Sequence, residues 1–297
     1  MKYLSTFTGV GGFELAIHNI IPNAKCVGYS EIDKFAIQTY EKNFPGHEGL
    51  NFGDIERLVF DLDKKGNFIV NEARVRLLPD FDLLVGGSPC QDLSIAKAKR
   101  KGLEGLKSRL LFAYLEIIRI KKPKYFILEN VASMSKANKD KISELIGVEC
   151  ETINSDKWTP QKRRRNYWFN WESPELPKED GPRWPELVAW SSSNDYNEDG
   201  THKEKRQRET QDGRANTLTT GRGCGSFSSK NYIRANGADK KDDVILTPTL
   251  CEQLQGLPND WTKGVSETQR YKQVGNCVNP DTIEHILKGI QKQIRLI

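Results

Sequence analysis

The chain has 297 residues, of which 37% are hydrophobic and 29% are charged, and its formal net charge at pH 7 is +5. This composition can form a hydrophobic core and excludes a disordered polymer, and the length favours one large domain with a smaller part attached. The mild basic excess permits a polyanionic partner without requiring one. The first residues do not resemble a signal peptide, and no apolar run approaches a membrane span. We therefore expect a cytoplasmic protein with no membrane partner.

The first half of the chain alternates short apolar stretches with amphipathic ones. Strands are predicted at Lys2–Phe7, Cys26–Ser30, Phe81–Val85 and Tyr125–Leu128, and helices at Phe13–Asn19, from Phe35 to Tyr40 and at Leu110–Ile118. This alternation predicts an α/β fold in which a mixed, mostly parallel sheet is covered on both faces. Because ligands of such sheets lie beyond the carboxyl ends of the strands, the residues that follow each strand are candidate site residues.

The second half of the chain changes in character. The stretch from Asn170 to Asn216 is rich in Pro, Ser, Asn, Asp and charged residues, and Thr201–Arg214 is typical of a solvated segment or a plain exposed loop. A helix is predicted from Asp281 to the end of the chain. No internal repeat is present, and an additional, less regular region is expected between the two regular parts.

A glycine turn, Phe7-Thr8-Gly9-Val10-Gly11-Gly12, follows the first predicted strand and opens a helix. Glycines let the backbone approach a ligand closely, and N–H groups at a helix start can face it. The spacing is not that of dinucleotide-binding folds, and a plain tight turn is the alternative. Glu31, after the second strand, can accept hydrogen bonds from ribose hydroxyls, and Asp54, after a third short segment, can accept one from an adenine amine. Together these residues indicate an adenosine-containing cofactor.

A thiol stands at the tip of a stiff turn after the third predicted strand. Gly86, Gly87, Ser88 and Pro89 lead directly to Cys90, so the turn offers this side chain to a ligand instead of burying it. Cys26, Cys150 and Cys251 are interpreted instead as small buried hydrophobic residues. The chain has six cysteines and no C-x-x-C pair, so no metal site is expected.

A nucleophilic thiolate needs cations or hydrogen-bond donors nearby. Two basic stretches are candidates: residues 97–101 directly after the thiol, and Gln161-Lys162-Arg163-Arg164-Arg165 before a strand-like aromatic stretch. Glu129 follows the strand predicted at Tyr125–Leu128, although Glu129-Asn130-Val131 can also be read as a helix cap. A thiol, a carboxyl and an arginine suit addition to an electron-poor ring, with the carboxyl acting at a ring nitrogen and the arginine at a ring oxygen.

Five stretches in order resemble the motifs of the DNA cytosine-5 methyltransferases. They are Phe7-x-Gly9-x-Gly11-Gly12, Pro89-Cys90-Gln91, Glu129-Asn130-Val131, Gln161-x-Arg163-x-Arg165 and Arg270-Tyr271-x-x-x-Gly275-Asn276-Cys277-Val278. The match covers nearly the whole chain. It implies a Rossmann-like, S-adenosylmethionine-dependent methyltransferase fold with a small target-recognition region.

The resemblance implies a role for each site residue. Cys90 attacks C6 of a cytosine flipped out of double-stranded DNA, Glu129 assists at N3, Arg165 holds O2, and Arg163 supports the pocket and a nearby phosphate. The residues implied for S-adenosylmethionine are Phe7, Gly9, Gly11, Glu31, Ile32, Asp54, Ile55, Asn276 and Val278.

The resemblance also implies the DNA contacts and the domain boundaries. Ser94, Lys97, Lys99, Arg100 and Lys101 are implied to contact DNA, the basic ones through phosphates. Arg222 is expected to read a guanine or to touch only phosphate. Residues 1–169 and 270–297 are implied to form the catalytic domain and residues 170–269 the target-recognition region. A cognate restriction endonuclease is a possible partner in the same system.

Details of the middle resemble the mammalian de novo methyltransferases: Ser88-Pro89-Cys90-Gln91-Asp92-Leu93-Ser94 and Glu129–Met134 follow their pattern. The intact Gly275-Asn276 is instead the bacterial pattern, and Cys277 stands where the family usually has Ala or Ser. A tRNA cytosine-5 methyltransferase on the same scaffold and a catalytically silent DNA-binding relative are the alternatives. A silent relative requires a lost motif, and all five motifs are present.

Overall fold

The computed structural model describes residues 1–89, 108–179, 181–183, 189–192, 208–209, 214–215, 217–218, 231–234 and 244–294. Its strands are β1 (Lys2–Thr6), β2 (Lys25–Ser30), β3 (Phe60–Leu62), β4 (Phe68–Val70), β5 (Leu83–Gly87), β6 (Tyr125–Val131), β7 (Glu151–Asn154), β8 (Arg164–Phe169), β9 (Ala189–Ser192), β10 (Arg208–Glu209), β11 (Asn231–Arg234) and β12 (Val244–Ile245). Its α-helices are α1 (Gly12–Ile20), α2 (Lys34–Asn43), α3 (Ile55–Val59), α4 (Glu72–Arg76), α5 (Ser108–Lys121), α6 (Lys136–Ile146), α7 (Pro248–Gln255), α8 (Glu267–Asn276) and α9 (Pro280–Ile294).

The main sheet has six strands in the order β2-β1-β5-β6-β8-β7. Strands β2, β1, β5 and β6 run parallel, whereas β8 is antiparallel to β6 and β7 is antiparallel to β8. This arrangement confirms the predicted α/β class and the mixed, mostly parallel sheet. The parallel strands connect through helices, so their carboxyl ends meet at one edge.

Apolar residues cover both faces of the sheet, which explains why its central strands read as continuous apolar runs. Leu83, Leu84 and Val85 in β5 are fully buried. On one face, α1 and α9 pack through a cluster that includes Ile17 and Ile286. On the other face, helices α3, α4, α5 and α6 contribute a second cluster. The edge that carries the strand ends is left for the site.

Several predicted elements differ in their ends from the observed ones. Glu129-Asn130-Val131 is not a helix cap, because β6 continues through these residues and pairs with β8 as far as Val131 opposite Arg165. Asp54 does not follow a strand: only an isolated bridge joins Tyr29 and Asn51, and Asp54 caps α3, its carboxylate accepting from the Glu56 N–H. The sequence reading also missed the β3–β4 hairpin, which is too short and too exposed to show a clear pattern.

The predicted boundary at residue 269 falls inside a packed cluster. Ala215, Leu218 and residues 246–257 share buried contacts with Val10 and Tyr271. The last part of the predicted target-recognition region therefore packs as part of the main body. Strands β9 to β12 form a separate four-stranded sheet in the order β10-β9-β11-β12. In the ranges that the structure describes, no helix is long and apolar enough to cross a membrane.

Candidate active site and cofactor turn

The glycine turn after β1 adopts a strained conformation that leads directly into α1. Phe7, Gly9 and Gly11 have positive φ angles of 53°, 57° and 87°. A non-glycine residue such as Phe7 adopts this conformation only where surrounding structure holds it, and such strain clusters at functional sites. The Gly9 N–H donates to a Glu31 carboxylate oxygen at 2.8 Å. The turn after β1 and the carboxylate after β2 are therefore joined at the strand-end edge.

Gly12 lets the closing motif approach the turn. A Cβ atom placed on Gly12 would lie 2.6 Å from the Cys277 sulfur and 2.9 Å from Val278 Cγ2. These distances are shorter than any real contact, so a side chain at this position would push the two segments apart. Val278 is 8% exposed, and its other methyl group lies 3.6 Å from a Cβ built on Gly87. The motifs at the two ends of the sequence thus meet beside β5.

The other predicted cofactor residues lie around the same edge with different exposures. Ile32 is 72% exposed, which is unusual for a large apolar side chain and leaves a flat apolar surface beside Glu31. Asp54 is partly exposed at the start of α3. Ile55 is 3% exposed, so its side chain belongs to the core and only its backbone faces the edge. Asn276 is exposed at the end of α8.

Glu129, near the carboxyl end of β6, and Arg165, at the start of β8, form a mostly buried ion pair. Arg165 Nε lies 3.0 Å from a Glu129 carboxylate oxygen, and the two side chains are 14% and 11% exposed. Glu129 pairs with Gly87 of β5, and a Cβ on Gly87 would lie 3.0 Å from the second Glu129 oxygen. Burial raises the pKa of Glu129 above its ordinary value, although Arg165 and then Arg163 act to lower it.

Arg163 is more deeply placed than the sequence reading implied. Its guanidinium donates to the carbonyl oxygens of Leu218 at 3.0 Å, Gly275 at 3.1 Å and Cys277 at 2.8 Å. The residue is 3% exposed, and burial lowers its pKa to about 10. Both terminal nitrogens of the guanidinium are thus engaged inside the protein, whereas Nε has no hydrogen-bond partner among the described residues. The contact of Arg163 with a phosphate stays a prediction. Arg163 joins β8 to the closing motif and supports the pocket from behind.

Asn130 holds the segment that leads toward the predicted nucleophile. Its side-chain amide donates to the Ser88 hydroxyl at 2.8 Å and to the Ser88 carbonyl at 3.2 Å, and both residues are buried. This role of Asn130 was not predicted from its motif, Glu129-Asn130-Val131. An amide directly after the candidate acid was the available signal, but the pairing depends on the neighbouring positions of β5 and β6.

Glu14 is a second residue that the sequence reading missed. It lies in the first turn of α1, directly after the glycine turn, and is fully buried. Hydrogen bonding from Ser5 and from its own backbone favours the charged form, but burial outweighs both. Burial raises its pKa to about 7. In the sequence, an acidic residue at the start of a helix resembles an ordinary charge near the helix dipole.

Some predicted site residues lie outside the described residues. They are Cys90, Ser94, Lys97, Lys99, Arg100, Lys101 and Arg222. The structure therefore brings together Glu129, Arg165 and the cofactor turn at one edge, and β5 leads from this edge to Pro89, directly before Cys90.

The strand order, the glycine turn after β1 and the carboxyl–arginine pair on β6 and β8 define a Rossmann-like α/β fold of the methyltransferase type. A sequence model of the C-5 cytosine-specific DNA methylase family matches residues 1–170 and 146–292 of this chain. The chain belongs to that family, whose members are S-adenosylmethionine-dependent methyltransferases.

Sequence relatives agree with this assignment, and a solved structure shares the fold. The chain is 37% identical over 177 residues to the orphan methyltransferase M.Rho11sI of Bacillus phage rho11s, covering 56% of this chain and 32% of that protein. It is 29% identical over 333 residues to the type II methyltransferase M.HhaI of Haemophilus parahaemolyticus, covering 98% and 94%. The structure of the Entamoeba histolytica methyltransferase EhMeth superposes with a TM-score of 0.68 at 16% identity, covering 99% and 98%.

The extent of these matches varies. The chain spans about a third of the length of the two phage relatives that it matches, whereas it spans nearly the full length of M.HhaI. The closer resemblance of the middle of the chain to mammalian de novo enzymes stays a prediction.

Proposed function

We propose that this protein is a DNA cytosine-5 methyltransferase that acts on a cytosine flipped out of double-stranded DNA. The observation that carries the proposal is the Glu129–Arg165 pair beside Gly87, at the end of the strand that leads to Pro89 and Cys90. A target base cannot be reached inside a duplex, so the enzyme must extrude it. The family to which the chain belongs supports the same reaction.

S-adenosylmethionine, when bound, supplies an electrophilic methyl group. The proposed binding residues are Phe7, Gly9, Gly11, Glu31, Ile32, Asp54, Ile55, Asn276 and Val278. The residues fit such a group: Ile32 offers an apolar surface for a purine, and carboxylates at Glu31 and Asp54 can accept hydrogen bonds from hydroxyl and amino groups. The strained turn at Phe7 and Gly9 brings backbone close to the same place.

The proposed reaction begins with addition of the Cys90 thiolate to C6 of the cytosine, which forms the sulfur–carbon bond. The Glu129 carboxyl gives its proton to N3, which makes C5 electron-rich. With S-adenosylmethionine bound, C5 would accept its methyl group as the methyl–sulfur bond breaks and S-adenosylhomocysteine is left. Loss of the C5 proton to solvent expels the Cys90 thiolate, and N3 returns its proton to the Glu129 carboxylate, which restores the ring. Arg165 donates to the base oxygen O2 and restrains Glu129, while Arg163 positions β8 from inside the protein. Fixed alignment of these groups supplies much of the rate.

Ser94, Lys97, Lys99, Arg100 and Lys101 are proposed to contact the DNA, and Arg222 is proposed to contact a guanine or a phosphate. The region from 170 to 269 is proposed to select the target sequence, apart from those of its residues that pack with Val10 and Tyr271. We infer that the enzyme acts in the cytoplasm of a bacterial or infected cell. A cognate endonuclease is proposed as a partner in the same system; the relatives include both type II and orphan methyltransferases.

Bisulfite sequencing of an unmethylated plasmid incubated with the protein and S-adenosylmethionine tests the proposal. Protection of cytosines in one short context is the expected result and reveals the recognition sequence. Scattered protection would indicate an enzyme with little flanking specificity. If no cytosine is protected although the protein binds the cofactor by calorimetry, the DNA activity is wrong, and the same assay on total tRNA tests the RNA alternative.

A further inference from the structure

The β3–β4 hairpin and α3 enclose the side chain of Arg109, in the first turn of α5. The Arg109 guanidinium carbon lies 4.0 Å from the centre of the Phe68 ring. Its Nη2 atom donates to a Glu56 carboxylate oxygen at 3.3 Å, and the two side chains are 31% and 22% exposed. A cation held against an aromatic face and a carboxylate at once is fixed in both distance and orientation. We call Glu56, Phe68 and Arg109 the α5 clamp.

The hairpin that supplies Phe68 is itself rigidly attached. The Asp61 carboxylate in β3 accepts hydrogen bonds from the Arg74 guanidinium at 2.6 Å and from the Asn71 side-chain amide at 2.6 Å. The Asn71 N–H also donates to the Val59 carbonyl at 2.8 Å. The hairpin is therefore a fixed part of the α3–α4 unit, and the ring of Phe68 is a stable wall for Arg109.

The position of the clamp connects two parts of the proposed active site. Glu56 lies in the first turn of α3, which is capped by Asp54, one of the proposed cofactor residues. Arg109 lies at the first described turn after the stretch of sequence that contains Cys90 and the predicted DNA-binding lysines. At the other end of that stretch, Ser88 is held by Asn130. Side-chain contacts therefore hold the chain on both sides of this stretch. Asn130 holds Ser88 beside Glu129, and Glu56 of α3 holds Arg109.

We propose that Arg109 is a positioning residue for methyl transfer, held by Phe68 and Glu56 so that α5 begins at a fixed place relative to α3. The inference rests on the proposed function. The clamp fixes the described start of α5 against α3, which the Asp54 cap begins at the cofactor side of the proposed site, while Asn130 holds Ser88 beside Glu129. Because alignment contributes to the chemical step more than to ground-state binding, loosening the clamp should lower kcat more than it weakens cofactor binding.

Arg119 provides a matched control on the same helix. It pairs with Glu72 at 2.6 Å and with Glu116 at 2.7 Å, and it lies in the second half of α5, away from the clamp. Replacing either arginine with alanine removes ion pairing from α5. Only the Arg109 variant removes a contact that reaches α3 and the hairpin.

The test compares wild type, Arg109→Ala, Arg109→Lys, Phe68→Leu and Arg119→Ala. Methyl transfer to unmethylated plasmid DNA is measured at saturating S-adenosylmethionine, together with the Kd for S-adenosylhomocysteine and the Tm. Arg109→Ala should lower kcat about tenfold, the size expected for loss of a partly exposed cation–π contact and ion pair. Its Kd should stay within about twofold, because the substitution removes side-chain contacts to Glu56 and Phe68 and keeps the main-chain N–H of Glu56 that holds Asp54. The kcat values of Arg109→Lys and Phe68→Leu should lie between those of Arg109→Ala and wild type. Arg119→Ala should keep the wild-type kcat.

The clamp acts as one unit, so combining Arg109→Ala with Phe68→Leu should lower kcat no further than Arg109→Ala alone. Equal kcat values for Arg109→Ala and Arg119→Ala would overturn the proposal, as would a loss in Tm or Kd without a loss in kcat. If wild type and Arg119→Ala both methylate the plasmid, the proposed function holds and the comparison judges the clamp alone. If neither methylates it although both bind S-adenosylhomocysteine, the proposed function fails and the positioning role fails with it.

Discussion

Replacing Glu14 with glutamine should stabilise the protein at neutral and alkaline pH. The Glu14 carboxyl is fully buried in the first turn of α1, and hydrogen bonding from Ser5 and from its own backbone does not offset the cost of burying its charge. The titratable groups that interact with it are Tyr3 in β1, Cys26 in β2, Tyr40 in α2 and Cys277 after α8. Glu31 adds a further carboxylate nearby. A negative charge at Glu14 is therefore poorly compensated.

The magnitude follows from the pKa. Burial raises the pKa of Glu14 from 4.5 to about 7, so the unfolded chain loses this proton at a lower pH than the folded protein. Stability then falls as pH rises from about 4.5 to about 7, because the unfolded state binds fewer protons. Each tenfold change in the protonation equilibrium corresponds to about 1.4 kcal/mol, so the ionised form costs the folded protein about 3 kcal/mol above pH 7. Glutamine has nearly the same shape and cannot ionise.

The assay is the Tm of wild type and Glu14→Gln across pH 5 to 8.5, with urea midpoints at the two ends. The variant should match wild type within about 1 kcal/mol at pH 5 and exceed it by about 3 kcal/mol at pH 8, or roughly 5–10 °C in Tm. Glu144→Gln is the control, because Glu144 is exposed on α6. A difference between Glu14→Gln and wild type that stays constant with pH would refute the reasoning.

Three further predictions concern the proposed chemistry and its support. Glu129→Gln should lower the rate of methyl transfer at least a hundredfold while leaving DNA affinity within a few-fold of wild type. Parallel losses in rate and DNA binding would point to a structural role. In wild type, the single-turnover rate should fall as pH rises through the raised pKa of Glu129, because the protonated carboxyl is the active form. Cys90→Ser should abolish turnover and keep the Kd for S-adenosylhomocysteine, and ordinary activity in this variant would exclude Cys90 as nucleophile. Arg163→Met should destabilise the protein by about 3 kcal/mol or more, because three buried carbonyls lose their charged donor. The control is Arg164→Met, at an exposed position, and the two variants are compared by their Tm. Equal Tm values would contradict a stabilising role for the buried hydrogen bonds of Arg163.

The sequence carried much of the fold because the parallel strands are buried on both faces. Leu83, Leu84 and Val85 must all be apolar in such a strand, so the run is visible without any partner. The glycine turn after β1 was visible for a similar local reason, since Gly9 and Gly11 have the left-handed backbone conformation that favours glycine. The β3–β4 hairpin was missed because its strands are short and its apolar residues, such as Phe68, are largely exposed.

The sequence by itself determined the family pattern and the residue types of the site, since the ordered motifs around Cys90, Glu129 and Arg165 are local features of the chain. Only the tertiary structure decided what each of them contacts. Arg163, directly before β8, and Arg165, within it, are two positions apart, yet Arg163 faces buried carbonyls and Arg165 faces Glu129. Their different roles depend on which segments pack on each side of β8, and those segments come from distant parts of the chain, among them the closing motif. The same reason hid the burial of Glu14 and the clamp at Arg109, because a side chain's surroundings are set by long-range packing that no local pattern records.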